Sequence, residues 1–196
     1  GVILVDTLTS IESAREALAL YRRHRGKRPV TGIIYTHTHV DHWGGALGVI
    51  TADEVHQRGV PILAPDEFME HAISENVVAG NAMIRRALYQ FGALLPRGPS
   101  QLVDCGLGKA MTSGRVGLLP PTDLITKTGE TRTIDGVEFV FQMAPDTEAP
   151  AEMNTWFPQF KALWSSELVT GTIHNIYTLR GAAVRNAINW SKSINE

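Results

Sequence analysis

The chain is short of the features that usually announce a function. It has one cysteine, Cys105, which excludes an internal disulfide and a cysteine-rich metal cluster. It has no surplus of positive charge: 18 Lys and Arg stand against 20 Asp and Glu, a formal net charge of −2. A nucleic-acid partner is therefore not expected, because phosphate binding needs a basic face. No apolar run approaches the ~18 residues of a membrane span. Repeats and low-complexity tracts are missing, and so is an initiator Met. The opening "GVILVDTL" reads as the inside of a strand and the closing "NWSKSINE" as no terminal element. We therefore expect a piece of a longer protein, with no targeting signal to fix its compartment. What remains is an ordinary globular balance over 196 residues, 43% hydrophobic and 19% charged, enough for one domain with a real core.

The order of elements sets the fold class. "GVILVD" (1–6) is a short apolar run, read as a buried strand. Thr9 and Glu12 have capping-box spacing, and Ile11, Ala14, Leu18 and Tyr21 mark one face of a helix ending at Gly26. "VTGIIYT" (30–36) is the next strand. Strand, helix, strand is a βαβ unit and implies a parallel sheet in an α/β fold. Farther on we expect a helix over 44–58, a strand over 60–65 and helices over 66–91. Residues 92–123, rich in Gly, Pro and Ser, read as a long loop of the kind that often carries function. Residues 124–145 read as a hairpin turning at Asp135-Gly136, 160–166 as a strand and 182–192 as a helix.

The chemistry is concentrated in "THTHVDHWGG" (36–45), where three of the seven histidines fall within six residues. His37 and His39 are two apart in an extended segment and point to one side. Asp41 and His42 follow at the turn into the next element. Imidazole and carboxylate together suit zinc, iron and related metals. One catalytic metal needs only three protein ligands, so four in so short a span point to two metals. The cluster follows a strand, where ligand sites of α/β folds lie. Gly44 and Gly45 allow close backbone approach. His24, His56 and His71 sit on expected helix surfaces and are assigned no catalytic role.

H-x-H-x-D-H after a strand, with Asp6 upstream, resembles the metallo-β-lactamase superfamily. That implies an αββα sandwich, here incomplete at both ends, with Asp6 supporting the ligands from behind. A second stretch, 144–196, with "APDTEAPAEM", "LWSSEL" and "HNIYTLRG" in order along it, looks like the alkyl sulfatases of that superfamily, as do "ISENVVAGNAMIRRALYQFGALLP" (73–96) and "GLLPPTD" (117–123). The whole of 1–196 then reads as part of one catalytic domain.

The resemblance implies two zinc ions and the ligands His37, His39, Asp41, His42, Glu148 and Glu167. His37, His39 and Glu167 would share one ion, Asp41 and His42 the other, and Glu148 would bridge or support both. Arg180 and Asn175 would bind sulfate and, with Asp41, form the catalytic set. Arg185 is a weaker candidate for the sulfate, and His174 is left open between metal neighbour, sulfate contact and structural residue. Glu130, Glu138 and Glu152 are read as solvated surface groups.

The implied reaction is hydrolysis of an alkyl sulfate to an alcohol and sulfate. The alternatives are another hydrolase of the same fold and a non-catalytic metal-binding fragment. In the family a further His ligand lies beyond the TLRG segment. Regions farther on serve dimerisation and capture of apolar substrate, so a homodimer is expected only of a full-length protein. Bacterial relatives are often exported, which leaves the compartment open.

Overall fold

The computed structural model describes all residues 1–196. Two four-stranded sheets face each other. The first is parallel, in the order β1 (Val2–Val5), β2 (Val30–Ile34), β3 (Ile62–Pro65), β4 (Asp123–Ile125). The second is antiparallel, in the order β5 (Thr131–Ile134), β6 (Val137–Met143), β7 (Met153–Phe157), β8 (Ala162–Trp164).

Side-chain alternation builds the layers. Along β6, Phe139 and Phe141 point inward with Val137 and Met143. They meet Ile34, Leu63 and Ile125 of the parallel sheet, together with Ile134 and Met153. Each buried aromatic contributes about 1.5–3 kcal/mol. The sheets press so closely that a Cβ on Gly32 would lie 2.8 Å from Ile134 Cγ2. On the other face of the parallel sheet, Ile33, Tyr35, Ile62 and Ala64 pack beneath Leu18, Trp43, Phe68 and Ala72 from the helices. A last helix, α6 (Ala187–Asn195), brings Trp190 against Ala144 and Leu168 outside the second sheet. Helix, sheet, sheet, helix is the expected αββα sandwich.

Several local expectations need adjusting. α1 (Ile11–Arg25) is capped by Ser10, whose Oγ accepts from Ser13 N at 3.2 Å, rather than by Thr9. Glu12 is drawn away from a capping box because its carboxylate accepts from the backbone N and Nε of Arg115. Of the helix expected over 44–58, a 3₁₀ turn (Ala46–Gly48) and α3 (Ala52–Arg58) form, and a separate short helix, α2 (Val40–Trp43), precedes them. Thr51 and Glu54 form the capping box that starts α3.

The 66–91 helical stretch is α4 (Phe68–Ile73), a π turn over Ser74–Val78 and α5 (Gly80–Gln90). The loop over 92–122 carries no helix or ladder strand. Of the 124–145 hairpin, the part from 131 onward forms and turns at Asp135-Gly136, both at positive φ. Residues 124–125 belong instead to β4 of the other sheet. Strand β7 was not anticipated. Its buried Asn154 and Thr155 hide any alternation, and Asn154 Nδ2 donates to cross-strand Gln142 at 2.8 Å. α6 begins at 187 rather than 182, where Asn186 caps it. No helix is long and apolar enough to cross a membrane.

Candidate metal centre

The site lies where the ends of the two sheets meet. Asp6 follows β1, and 36–42 follow β2. Glu148 and Glu152 sit between β6 and β7, and Glu167 follows β8. The two sheets are stitched here by an antiparallel bridge between His37 and Glu152 and by Met153 N donating to Thr36 O at 2.9 Å. Gly44 and Gly45 let the histidine turn lie against the start of α1. A Cβ on Gly44 would strike Thr9 O, and one on Gly45 would strike Thr7 O.

Each histidine is held in a defined orientation. Asp6 is the anchor: it accepts from Thr36 N and Thr36 Oγ1, both at 2.9 Å, and pairs with His42 Nδ1 at 2.8 Å. Thr36 Oγ1 spends its proton on Asp6, so at 2.9 Å it accepts from His37 Nδ1. His37 therefore carries its proton on Nδ1 and turns the bare lone pair of Nε2 inward. Burial holds its pKa well below the usual value, and the neighbouring His42 and His39 charges add to that. His42 gives Nδ1–H to Asp6 and aims Nε2 at Glu167 Oε2, 3.1 Å, and Asp41 Oδ2, 3.4 Å. Burial opposes its protonation, but Asp41, Asp6 and Glu167 outweigh burial and raise its pKa. His39 Nδ1 lies 2.8 Å from Glu148 Oε2, and that carboxylate likewise outweighs burial and raises the His39 pKa.

The carboxylates respond in kind. Burial pushes Asp41 up, yet the hydrogen bond and charge of His42 hold it at about 2. Burial also pushes Glu167 up, and its hydrogen bond with His42 more than reverses this. Glu152 is the exception: burial, with the Glu148 charge adding, raises it to about 8.

Two donor groups result. His37, His39, Glu148 and Glu167 converge, with ligand atoms within 4.8 Å of one another, and so do Asp41, His42 and Glu167. Glu167 is common to both. In this geometry Glu148 lies with His37 and His39, whereas the resemblance implied Glu148 as the bridging residue. His37 Nε2 is buried without a hydrogen-bond partner and faces Glu148 Oε2 at 3.3 Å, the oxygen that His39 Nδ1 approaches at 2.8 Å. A fold leaves such atoms orphaned at considerable cost unless something fills the gap. A lone pair, a carboxylate oxygen and no shared proton are what a cation requires. The residues fit a metal ion.

Other candidates stand around this pair. Arg180 Nη2 binds Glu75 Oε1 at 2.8 Å, and Glu75 Oε2 lies 3.9 Å from His39 Nε2. Glu75 was not anticipated. It sits on the π turn, an irregularity frequent at functional sites. Arg185 is buried and spent inside the protein. It contacts Glu148 O at 2.7 Å, Glu148 Oε1, His174 Nδ1 at 2.8 Å and Asn175 Oδ1 at 3.0 Å, so each of its three nitrogens already has a partner inside the protein. His174 Nε2 is 3.2 Å from Glu167 Oε1, which places it beside the centre. Glu152 is not a surface group: it is 0% exposed. His71, on α4, pairs with Glu67 at the cap of that helix at 3.4 Å.

Residues 1–154 match the family model described as the Metallo-beta-lactamase superfamily. The chain belongs to that superfamily. A linear primary-alkylsulfatase of Pseudomonas sp is 50% identical over 196 residues, which cover 100% of this chain and 29% of that protein. An alkyl/aryl-sulfatase of Saccharomyces cerevisiae is 50% identical over 194 residues, covering 99% of this chain and 30% of its own. Among solved structures, the stereoselective inverting sec-alkylsulfatase from Pseudomonas sp. superposes with a TM-score of 0.95 at 46% identity, covering 100% of this chain and 31% of that one. The chain thus spans about a third of the length of the relatives it matches.

Proposed function

We propose that this chain carries the metal centre of an alkyl sulfate ester hydrolase, releasing an alcohol and sulfate. The observation that carries the reading is the pair of donor groups joined through Glu167, in a chain half identical to alkylsulfatases. His37, His39, Glu148 and Glu167 would hold one ion, and Asp41, His42 and Glu167 the other, with zinc as the metal. When bound, the ions supply Lewis acidity toward the ester oxygens.

The chain's own residues would do the rest. Arg180 is oriented by its Nη2 contact to Glu75, which leaves the buried Nη1 with no partner inside the protein. A guanidinium with one donor pinned and another unspent is suited to a tetrahedral anion. Asn175 has its side-chain oxygen engaged by Arg185 Nη1, so its amide NH₂ is the end left to donate. Asp41, held ionised by His42, keeps a negative charge on the second donor group. The exposed Val77, Val78, Leu179 and Tyr177 offer apolar surface for an alkyl chain.

The test is sulfate release from dodecyl sulfate, abolished by a chelator and restored by zinc. Hydrolysis of a lactam or phosphodiester in place of the sulfate ester would overturn the assignment. Running the reaction in ¹⁸O-water then locates the bond broken: label in sulfate means attack at sulfur, and label in the alcohol means attack at carbon.

A further inference from the structure

Glu152 lies four residues after Glu148 and is fully buried, yet no Arg, Lys or His reaches its carboxylate. The charge that acts on it is the like charge of Glu148. Three groups contact it. Oε2 accepts from Ala149 N at 3.0 Å and lies 3.0 Å from Thr147 Oγ1, whose own proton goes to Ala144 O at 2.6 Å, and Oε1 accepts from Glu167 N at 3.2 Å. The first two flank Glu148. The third is the backbone of Glu167 itself. The main chain of Glu152 meanwhile bridges to His37.

We propose that Glu152 is a positioning residue that joins the two glutamate-bearing loops to the histidine strand, so that Glu148, Glu167 and His37 reach a metal together. This rests on the metal-centre reading above. The arrangement is costly as mere scaffolding. A fully buried carboxyl group beside a carboxylate costs a fold stability in either protonation state, and an apolar residue would fill the space at less expense. What the carboxyl group supplies is two oxygens at a fixed spacing, one facing a backbone N–H of each loop. Gln cannot substitute. Whichever way its amide turns, the NH₂ faces one of those N–H groups, and one loop loses its anchor. Residues standing behind metal ligands typically alter affinity by about 10–100-fold when changed.

The experiment is a cobalt(II) titration of the protein and of Glu152→Gln, followed by the visible absorption of the bound ion and, in parallel, by circular dichroism. The expected result is a folded variant with cobalt affinity lower by about 10–100-fold and an altered visible band. A scaffolding role would lower the melting temperature and leave the affinity and spectrum of the folded protein alone, and that outcome overturns the proposal. Should Glu152→Gln not fold, Thr147→Val removes one of the three contacts and leaves Glu152 in place. It is expected to weaken cobalt binding in part, with Thr147→Ser restoring it, and full affinity in Thr147→Val overturns the proposal. An unaltered protein that takes up no cobalt refutes the metal reading itself and this inference with it. Normal uptake that is identical in the variants refutes the inference alone.

Discussion

Replacing Asp6 by Asn tests how the histidines are set, because it removes a charge while keeping the shape. Asp6 has φ 62°, a left-handed backbone that Asn tolerates and most residues resist, so the main chain should hold. The amide oxygen is needed by Thr36 N, which donates to Oδ1 at 2.9 Å. The new NH₂ must then occupy the Oδ2 position, 2.8 Å from His42 Nδ1. There it donates to Nδ1 and forces the imidazole proton onto Nε2, the atom that faces Glu167 and Asp41.

Binding a metal at Nε2 then means breaking the new contact or losing a hydrogen bond to a charged group, a difference of about 1.5–3 kcal/mol. That corresponds to roughly a 10–100-fold loss of affinity at the Asp41–His42–Glu167 group, the range typical for partners behind a ligand. The His37–His39 group should respond as well, since the Thr36 hydroxyl that orients His37 loses the same Oδ2 acceptor. Titration with cobalt(II) reads the two steps separately. Two equivalents bound by Asp6→Asn at unaltered affinity would show that the Asp6 contact does not set the His42 tautomer, and the orientation argument would fall.

The remaining predictions follow from the same geometry. In the metal-free protein the carboxylates around His42 raise its pKa, so a metal must displace a proton from Nε2. Affinity should therefore rise with pH, and calorimetry in buffers of different ionisation enthalpy should detect proton release; pH-independent binding without release contradicts this. Gly45→Ala would set a Cβ 2.7 Å from Ser10 O and 2.6 Å from Ala14 Cβ. Overpacking of this kind costs about 1–3 kcal/mol, and each kcal/mol lowers Tm by about 2–4 °C in a chain this size; an unchanged thermal melt argues against the close approach. Arg180→Lys leaves a single ammonium to serve both Glu75 and the substrate anion, so KM for an alkyl sulfate should rise by about tenfold with kcat less affected. An unaltered KM would remove Arg180 from sulfate binding.

How far these features were readable from sequence depends on how local they are. The histidine turn announces itself because its chemistry is packed into six residues directly after an apolar strand. The βαβ start follows from the spacing of Ile11, Ala14 and Leu18, all of which are buried. Glu148 and Glu167 lie more than 100 residues downstream, and only their motifs pick them out from 20 acidic residues. Glu75 and Glu152 have no such local mark. An acidic residue on a helix or before a strand reads as solvated, and only the packing of one sheet against the other puts Glu152 in the dark. The one available hint was its place in a run of Ala and Pro leading straight into a strand, a poor setting for a solvated side chain. β7 was missed for a related reason: its polar residues are satisfied across the sheet, and pairing between strands leaves no period in either one.

With a single cysteine, no covalent link ties distant parts of this chain together. An ion held between His39 and Glu148 would be such a link, closing a loop of roughly 100 residues. In chain-entropy terms a closure of that length opposes unfolding by about 4–5 kcal/mol. Unlike a disulfide, it can be withdrawn by a chelator or by scarcity. The supply of metal around the protein would then govern how long it survives proteolysis as well as what it catalyses.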